Sequence, residues 1–167
     1  MRVWVVATLL TVSACGGARS PGAVAANDVP SEVAELGDGE VENTTFAPDL
    51  NVVLLAMEKL PQGIYYRDMV EGEGVPAMPG REALISYVAY LADGTEVDRT
   101  APDARPLRFT IGEGEVIRGW DLGVRGMRTG GMRQLVVPSR YAYGRQAVGK
   151  IPPNSVMVFF MRLDGVR

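Results

Sequence analysis

From residue 60 onward, apolar and polar positions follow the two-residue period of β-strands, interrupted once by helical spacing. Residues 64–70 read as a strand ended by Glu71-Gly72-Glu73-Gly74. Residues 83–91 alternate, with Ile85, Tyr87, Ala89 and Leu91 on one face and Ser86, Val88 and Tyr90 on the other. Asp93-Gly94 marks a hairpin turn. Val97 opens a short strand that breaks near Pro102 and resumes over 107–111; residues 132–137 and 156–164 complete the set. Ile117, Trp120, Asp121 and Val124 stand at i, i+3, i+4, i+7, which predicts a helix with one apolar face. Gly119 and Gly123 each weaken that helix by about 1 kcal/mol relative to Ala, which predicts that another backbone packs close to them. The expected fold is α+β, a curved antiparallel β-sheet wrapped around one short α-helix.

Before residue 63 the pattern changes three times. Residues 46–62 form an apolar lead-in. Within it residues 52–55 suit an edge strand, while Leu50, Leu54 and Met57 equally suit a helical turn. Residues 16–45 hold five Gly, five Ala, two Pro and no aromatic residue. Asp28, Glu32, Glu35, Asp38, Glu40 and Glu42 there face a single base, Arg19. Such a stretch buries too little apolar surface to offset its ordering entropy, so a disordered acidic tether is expected, with a loose helix over 31–36 as the alternative. A flexible coil of this length spans roughly 30 Å. The net charge of −3 therefore belongs to the tether rather than the domain.

Residues 3–12 are apolar and follow Arg2, and the run is too short to cross a bilayer, which takes about 20 residues. Val12-Ser13-Ala14-Cys15 resembles a bacterial lipobox, in which cleavage precedes the Cys and a diacylglycerol is joined to its thiol. Residues 1–14 are then a lipoprotein signal peptide. Cys15, the only cysteine, is the lipidation site at the head of the segment 15–45. Acyl chains at ~0.8 kcal/mol per buried CH₂ anchor a domain that does not span the membrane. The resemblance implies a bacterial cell envelope protein facing the periplasm. Gly16, rather than Asp, after the Cys favours the outer membrane over the inner one.

Composition narrows the chemistry. An apolar fraction of 47% supports a core, and 20 Gly with 11 Pro point to a turn-rich domain rather than a bundle. The chain has no histidine, which removes His-based triads and argues against a zinc site. No cofactor or metal is expected. Arg118, Arg125, Arg128, Arg133, Arg140, Arg145 and Lys150 are opposed only by Asp121 in that span, and their spread over several elements predicts an ordinary solvated surface. No aromatic–basic interleaving suggests nucleic acid.

Seven stretches then occur in order: GIYYRD (63–68), ISYVAYL (85–91), DGTEVD (93–98), PLRFTIGEG (106–114), GEVIRGWDLGV (114–124), VVPSRYAYG (136–144) and IPPNSVMVFFMRL (151–163). Together they resemble the FKBP-type peptidyl-prolyl cis-trans isomerases, and the likeness covers about residues 63–163, essentially the whole of the expected isomerase domain, 63–167. It implies a pocket with Trp120 as floor and Tyr87, Phe109 and Phe159 as aromatic walls. Val116 and Ile117 would line another wall, the Ile117 N–H meeting a substrate carbonyl. Tyr143 O–H would bind the chain, and Asp98 would stand at the rim. Val97, Leu107 and Ile151 complete the substrate-binding set. Among these, Tyr87, Asp98, Trp120, Tyr143 and Phe159 would carry catalysis. The implied partners are Xaa-Pro segments of exported proteins.

Val97 and Leu107 stand where drug-sensitive members carry aromatics, which predicts a shallower bowl. The loop 145–150 has no aromatic residue and no room for an inserted chaperone domain. With no long dimerisation helix ahead of the domain, a monomer is expected. Arg99 and Arg105 are both candidates to pair with Asp98. The alternative function is a tethered, non-catalytic module that binds Pro-containing segments.

Overall fold

The computed structural model describes residues 39–167. The expected signal peptide 1–14, lipidated Cys15, the tether before residue 39 and the alternative helix over 31–36 lie outside the described residues. Seven strands make one antiparallel sheet: β1 (Glu58–Lys59), β2 (Tyr65–Val70), β3 (Glu82–Leu91), β4 (Glu96–Arg99), β5 (Leu107–Thr110), β6 (Met132–Val137) and β7 (Met157–Val166). Their order is β1-β2-β6-β7-β3-β4, with β5 also on β3. Since β7 occupies one edge of β3, β4 and β5 share the other, pairing with residues 88–90 and 82–85 in turn. The strand expected to break near Pro102 and resume at 107 does so, both halves lying along one partner. Each outer edge of the sheet is short: two residues in β1, four in each of β4 and β5.

The helix α1 (Arg118–Gly123) packs on one face of the sheet. Strand alternation splits the interior in two. Ile85, Leu135, Val137, Phe159 and Leu163 face the helix, with Phe109 and Trp120 among them. Val136 and Val158 face the other way, into a second cluster with Val41, Leu50, Tyr65 and Val156. The glycines of α1 sit mainly against side chains, and the expected close backbone occurs at Gly119, where a Cβ would also fall 3.1 Å from Tyr141 O. A Cβ on Gly119 would fall 2.4 Å from Val137 Cγ1, and one on Gly123 2.4 Å from Leu135 Cδ1. The helix lies low enough on β6 for branched side chains of that strand to fill the space a Cβ would need.

The outer cluster corrects the expected tether boundary. Within residues 39–45, Gly39 and Val41 are buried, Val41 fully. Composition averaged over 16–45 concealed one apolar residue with a seat on the sheet. The neighbouring acids are matched locally, Glu42 by Lys59 Nζ (2.5 Å) and Tyr65 O–H (2.8 Å), and Glu40 by Arg140. Further along, residues 52–55 form no edge strand; Leu54–Ala56 make a 3-10 turn, and the edge strand β1 forms after it. Phe46, Val52, Leu54 and Met57 pack on the outer cluster. Buried Gln134 fastens the segment, donating Nε2–H to Leu50 O (2.7 Å) while its Oε1 accepts from Arg67 Nη2 (2.9 Å).

Arg133 departs from the solvated surface expected of the basic run. It is 4% exposed, forms a two-point pair with Asp68 (2.6 and 2.7 Å) and lies over the Tyr66 ring at 4.2 Å. Its Nη1 donates to Gly123 O (2.7 Å) and Arg125 O (3.2 Å). A polar position of β6 thus faces inward to satisfy the carbonyls that end α1.

Candidate functional site

α1 carries Trp120 to the centre of the helix face. The indole is 4% exposed and meets Tyr87 of β3 edge-on at 4.8 Å between ring centroids, and Phe159 of β7 likewise at 5.4 Å. Perpendicular pairs of this kind place a positive ring edge on a negative ring face. The buried indole N–H meets no nitrogen or oxygen acceptor among the described residues. Phe109 of β5 lies at 6.0 Å from the indole, tilted by 49°.

A cavity of about 310 Å³ opens beside these rings. Trp120 and Phe159 line its inner end, Tyr87, Val97, Asp98 and Leu107 one side, and Val116, Ile117, Tyr143 and Ile151 the rest. The expected site residues therefore converge, with one correction. Phe109 is 1% exposed and does not line the cavity. Two residues deeper along β5 than Leu107, its ring supports the indole from within the core. Ala89 and Glu115 line the cavity as well and were not anticipated. Strand alternation had already put Ala89 on the Tyr87 face. Glu115, in a polar Gly-rich turn, follows no pattern that would single it out.

At the rim, Tyr87 O–H donates to Asp98 Oδ2 (2.5 Å), and the Arg99 backbone N–H donates to Asp98 Oδ1 (2.8 Å). The Arg99 guanidinium turns to Glu96 instead, Nε donating to Oε1 at 2.5 Å. Neither Arg99 nor Arg105 forms an ion pair with Asp98 among the described residues. Burial, and then the hydrogen bond to Asp98, pushes the Tyr87 phenol well above its ordinary value. Burial first, with the Asp98 charge second, also raises Tyr143. Both phenols are hydroxyl donors at neutral pH.

Two further donors remain unspent. Among the described residues, Tyr143 O–H and Ile117 N–H donate to no protein acceptor. Ile117 precedes α1 with extended ψ (142°), and its carbonyl accepts from Trp120 N–H (2.9 Å), so its amide is fixed by the helix start. The neighbouring turn is held by Asp121, a buried acid on α1. It accepts N–H from Gly112 (2.9 Å) and Gly114 (3.1 Å) and so places Val116 and Ile117. An acid on the apolar helix face was the sequence signal for this role. Of the Tyr pair after Pro138, Tyr143 lines the cavity, while Tyr141 packs near Arg118 (5.8 Å) and Arg140 (5.5 Å).

The family model for FKBP-type peptidyl-prolyl cis-trans isomerases matches residues 74–164. An FK506-binding protein of Neisseria meningitidis serogroup B is 40% identical over 102 residues, 60% of this chain and 94% of that protein. FK506-binding protein 4 of Saccharomyces cerevisiae is 43% identical over 108 residues, 65% of this chain but 27% of its own length. The chain thus spans about a quarter of the fungal relatives it matches. Among solved structures, a peptidyl-prolyl cis-trans isomerase from Pseudomonas syringae superposes with TM-score 0.64 at 28% identity, covering 83% of this chain and 97% of that one. FkpA from Escherichia coli gives 0.61 at 32% identity, covering 67% and 52%. The matched span contains all the cavity-lining residues, and with this agreement of sequence, sheet and helix the chain belongs to the FKBP-type peptidyl-prolyl cis-trans isomerase family.

Proposed function

We propose that the protein is a peptidyl-prolyl cis-trans isomerase acting on Xaa-Pro bonds of exported proteins. The observation that carries this is an aromatic cavity over Trp120 with two unspent donors, Tyr143 O–H and Ile117 N–H, at its side. Rotation about an amide faces a barrier of ~18–20 kcal/mol because resonance is lost. The planar amide is the more polar and better hydrated form, and the twisted amide has a less negative oxygen. A dry aromatic cavity therefore disfavours the planar form more than the twisted one. That is differential binding of the transition state, the kind that accelerates a step. The prolyl ring fills the cavity against Trp120 while the two donors hold the flanking chain. No proton changes hands, so the raised phenols act as fixed donors rather than acids.

A binding module without turnover is the second reading. Val97 and the 40%-exposed Leu107 favour it, since aliphatic side chains here make one wall shallower than an aromatic pair would. The deciding experiment is NMR exchange spectroscopy of an Ala-Leu-Pro-Phe peptide with the full chain and a Trp120→Leu control. Accelerated exchange that the substitution slows supports the isomerase. Peptide binding without acceleration supports the module.

We also propose that Cys15 carries the lipid and that the domain works as a monomer at the periplasmic face of the outer membrane. The lipobox-like Val12-Ser13-Ala14-Cys15 supports this. Metabolic labelling with a fatty acid, lost in Cys15→Ala, tests the anchor, and membrane fractionation tests its location.

A further inference from the structure

We propose that residues 39–47 are a positioning element for the pocket, a strap that holds both of its walls from the opposite face of the sheet. At its first end, Gly39 O accepts the Ser139 N–H (2.9 Å). Ser139 O in turn accepts N–H from Ala142 (2.9 Å) and Gly144 (2.8 Å), the residues on either side of Tyr143. Gly144 O accepts the Asn154 N–H (2.8 Å), closing the loop that carries Ile151. Gly39 is pressed onto both stems of this loop. A Cβ there would fall 2.0 Å from Ser139 Oγ and 3.1 Å from Asn154 O, and its φ of +76° favours glycine in any case. Glu40 pairs with Arg140, whose guanidinium also donates to Gln62 O (3.2 Å).

The second end reaches the other wall. Ala47 N–H donates to Ala92 O (2.8 Å), and Ala47 Cβ lies 3.2 Å from where a Cβ on Gly94 would stand. Ala92 and Gly94 belong to the turn joining β3 to β4, the strands that bear Tyr87, Val97 and Asp98. Between the two ends, buried Val41 and the packed Phe46 fix the strap to the outer cluster.

The strap precedes the span that defines the family, which starts at residue 74. It lines no part of the cavity yet touches the supports of both walls. A site left 1 Å too loose loses rate, and outer supports of this kind set that tolerance.

The test uses the full chain with Gly39→Val, and with Val158→Ala as a destabilising change in the same outer cluster away from the strap ends. Gly39→Val is expected to lower Tm, to lower kcat/KM ~10- to 100-fold and to speed amide hydrogen exchange at Ala142 and Gly144. Val158→Ala is expected to lower Tm while sparing both readouts. Glu40→Arg and Arg140→Glu give a second route should Gly39→Val not fold: each alone loosens the Tyr143 turn, and the pair restores it. The kinetic arm rests on the isomerase reading, whereas the exchange arm does not, so a wild-type protein without turnover would sink that reading and leave the strap to be judged by exchange. Exchange and kcat/KM unmoved by Gly39→Val and by both charge reversals, or moved equally by Val158→Ala, would overturn the proposal.

Discussion

The two faces of the sheet are built from the same strands and end up doing opposite things. On the helix face, Leu135, Val137 and Phe159 meet a six-residue helix too short to cover the sheet, and the uncovered part is the aromatic cavity. On the outer face, Val136 and Val158 meet the strap and the lead-in that follows it, whose Val41, Phe46 and Leu50 pack on them, with Gln134 hydrogen-bonded to Leu50 O. One face is left open and supplied with unspent donors, while the other is closed and its donors satisfied. The difference teaches where to look for function in a domain with two cores. It lies on the side where burial stops before the surface is covered.

That contrast can be broken by exchanging the kinds of damage. Trp120→Leu is expected to have the largest effect, lowering kcat/KM ~100-fold, equivalent to about 2.7 kcal/mol, as read by peptide exchange. Asp68→Ala leaves the Arg133 charge buried without its carboxylate. Denaturant unfolding should show a loss of about 3 kcal/mol, with a smaller fall in rate because Arg133 also holds the end of α1. On the outer face, Gln134→Ala strips Leu50 O of its donor. It should cost about 1–3 kcal/mol in unfolding experiments and leave kcat/KM within twofold of wild type.

The smallest effect is electrostatic. Lys59 and Tyr65 hold the Glu42 carboxyl at about 2, below its ordinary value of 4.5. A depressed carboxyl stabilises the fold above its unfolded value, and that contribution fades as pH falls from about 4.5 towards 2. The pair is largely exposed, so the loss should be under about 1 kcal/mol, and Glu42→Gln should remove that part of the acid dependence of Tm. On the helix face, by contrast, the raised phenols of Tyr87 and Tyr143 predict a kcat/KM flat from about pH 6 to 9. A titration of activity near neutrality would count against a mechanism without proton transfer.

Much of the helix face was legible because its residues obey simple periods. Alternation through β3 placed Tyr87, and helical spacing placed Trp120 and the inward acid Asp121. Phe109 was misplaced because period says which face a side chain takes but not how deep along the strand it sits. Arg133 and Gln134 were illegible as buried groups. Their positions depend on partners far along the chain, Asp68 and Leu50, that hydropathy does not pair with them. The strap was missed for a related reason. Val41 is one apolar residue among acids, and only a prepared seat on β6 and β7 makes it part of the core.

The short margins of the sheet have a bearing on how this protein lets go of what it handles. An unfolded chain commonly sticks to a sheet by adding itself as one more strand, gaining a ladder of main-chain hydrogen bonds. Here one margin is the charged pair Glu58–Lys59, and the other is cut in two between Arg99 and Leu107, so neither offers a long continuous template. Under the function proposed above, a captured segment would be gripped at one residue and its neighbours, not zipped along its length. On the isomerase reading, dwell times should therefore be brief and insensitive to the β-propensity of the passing chain.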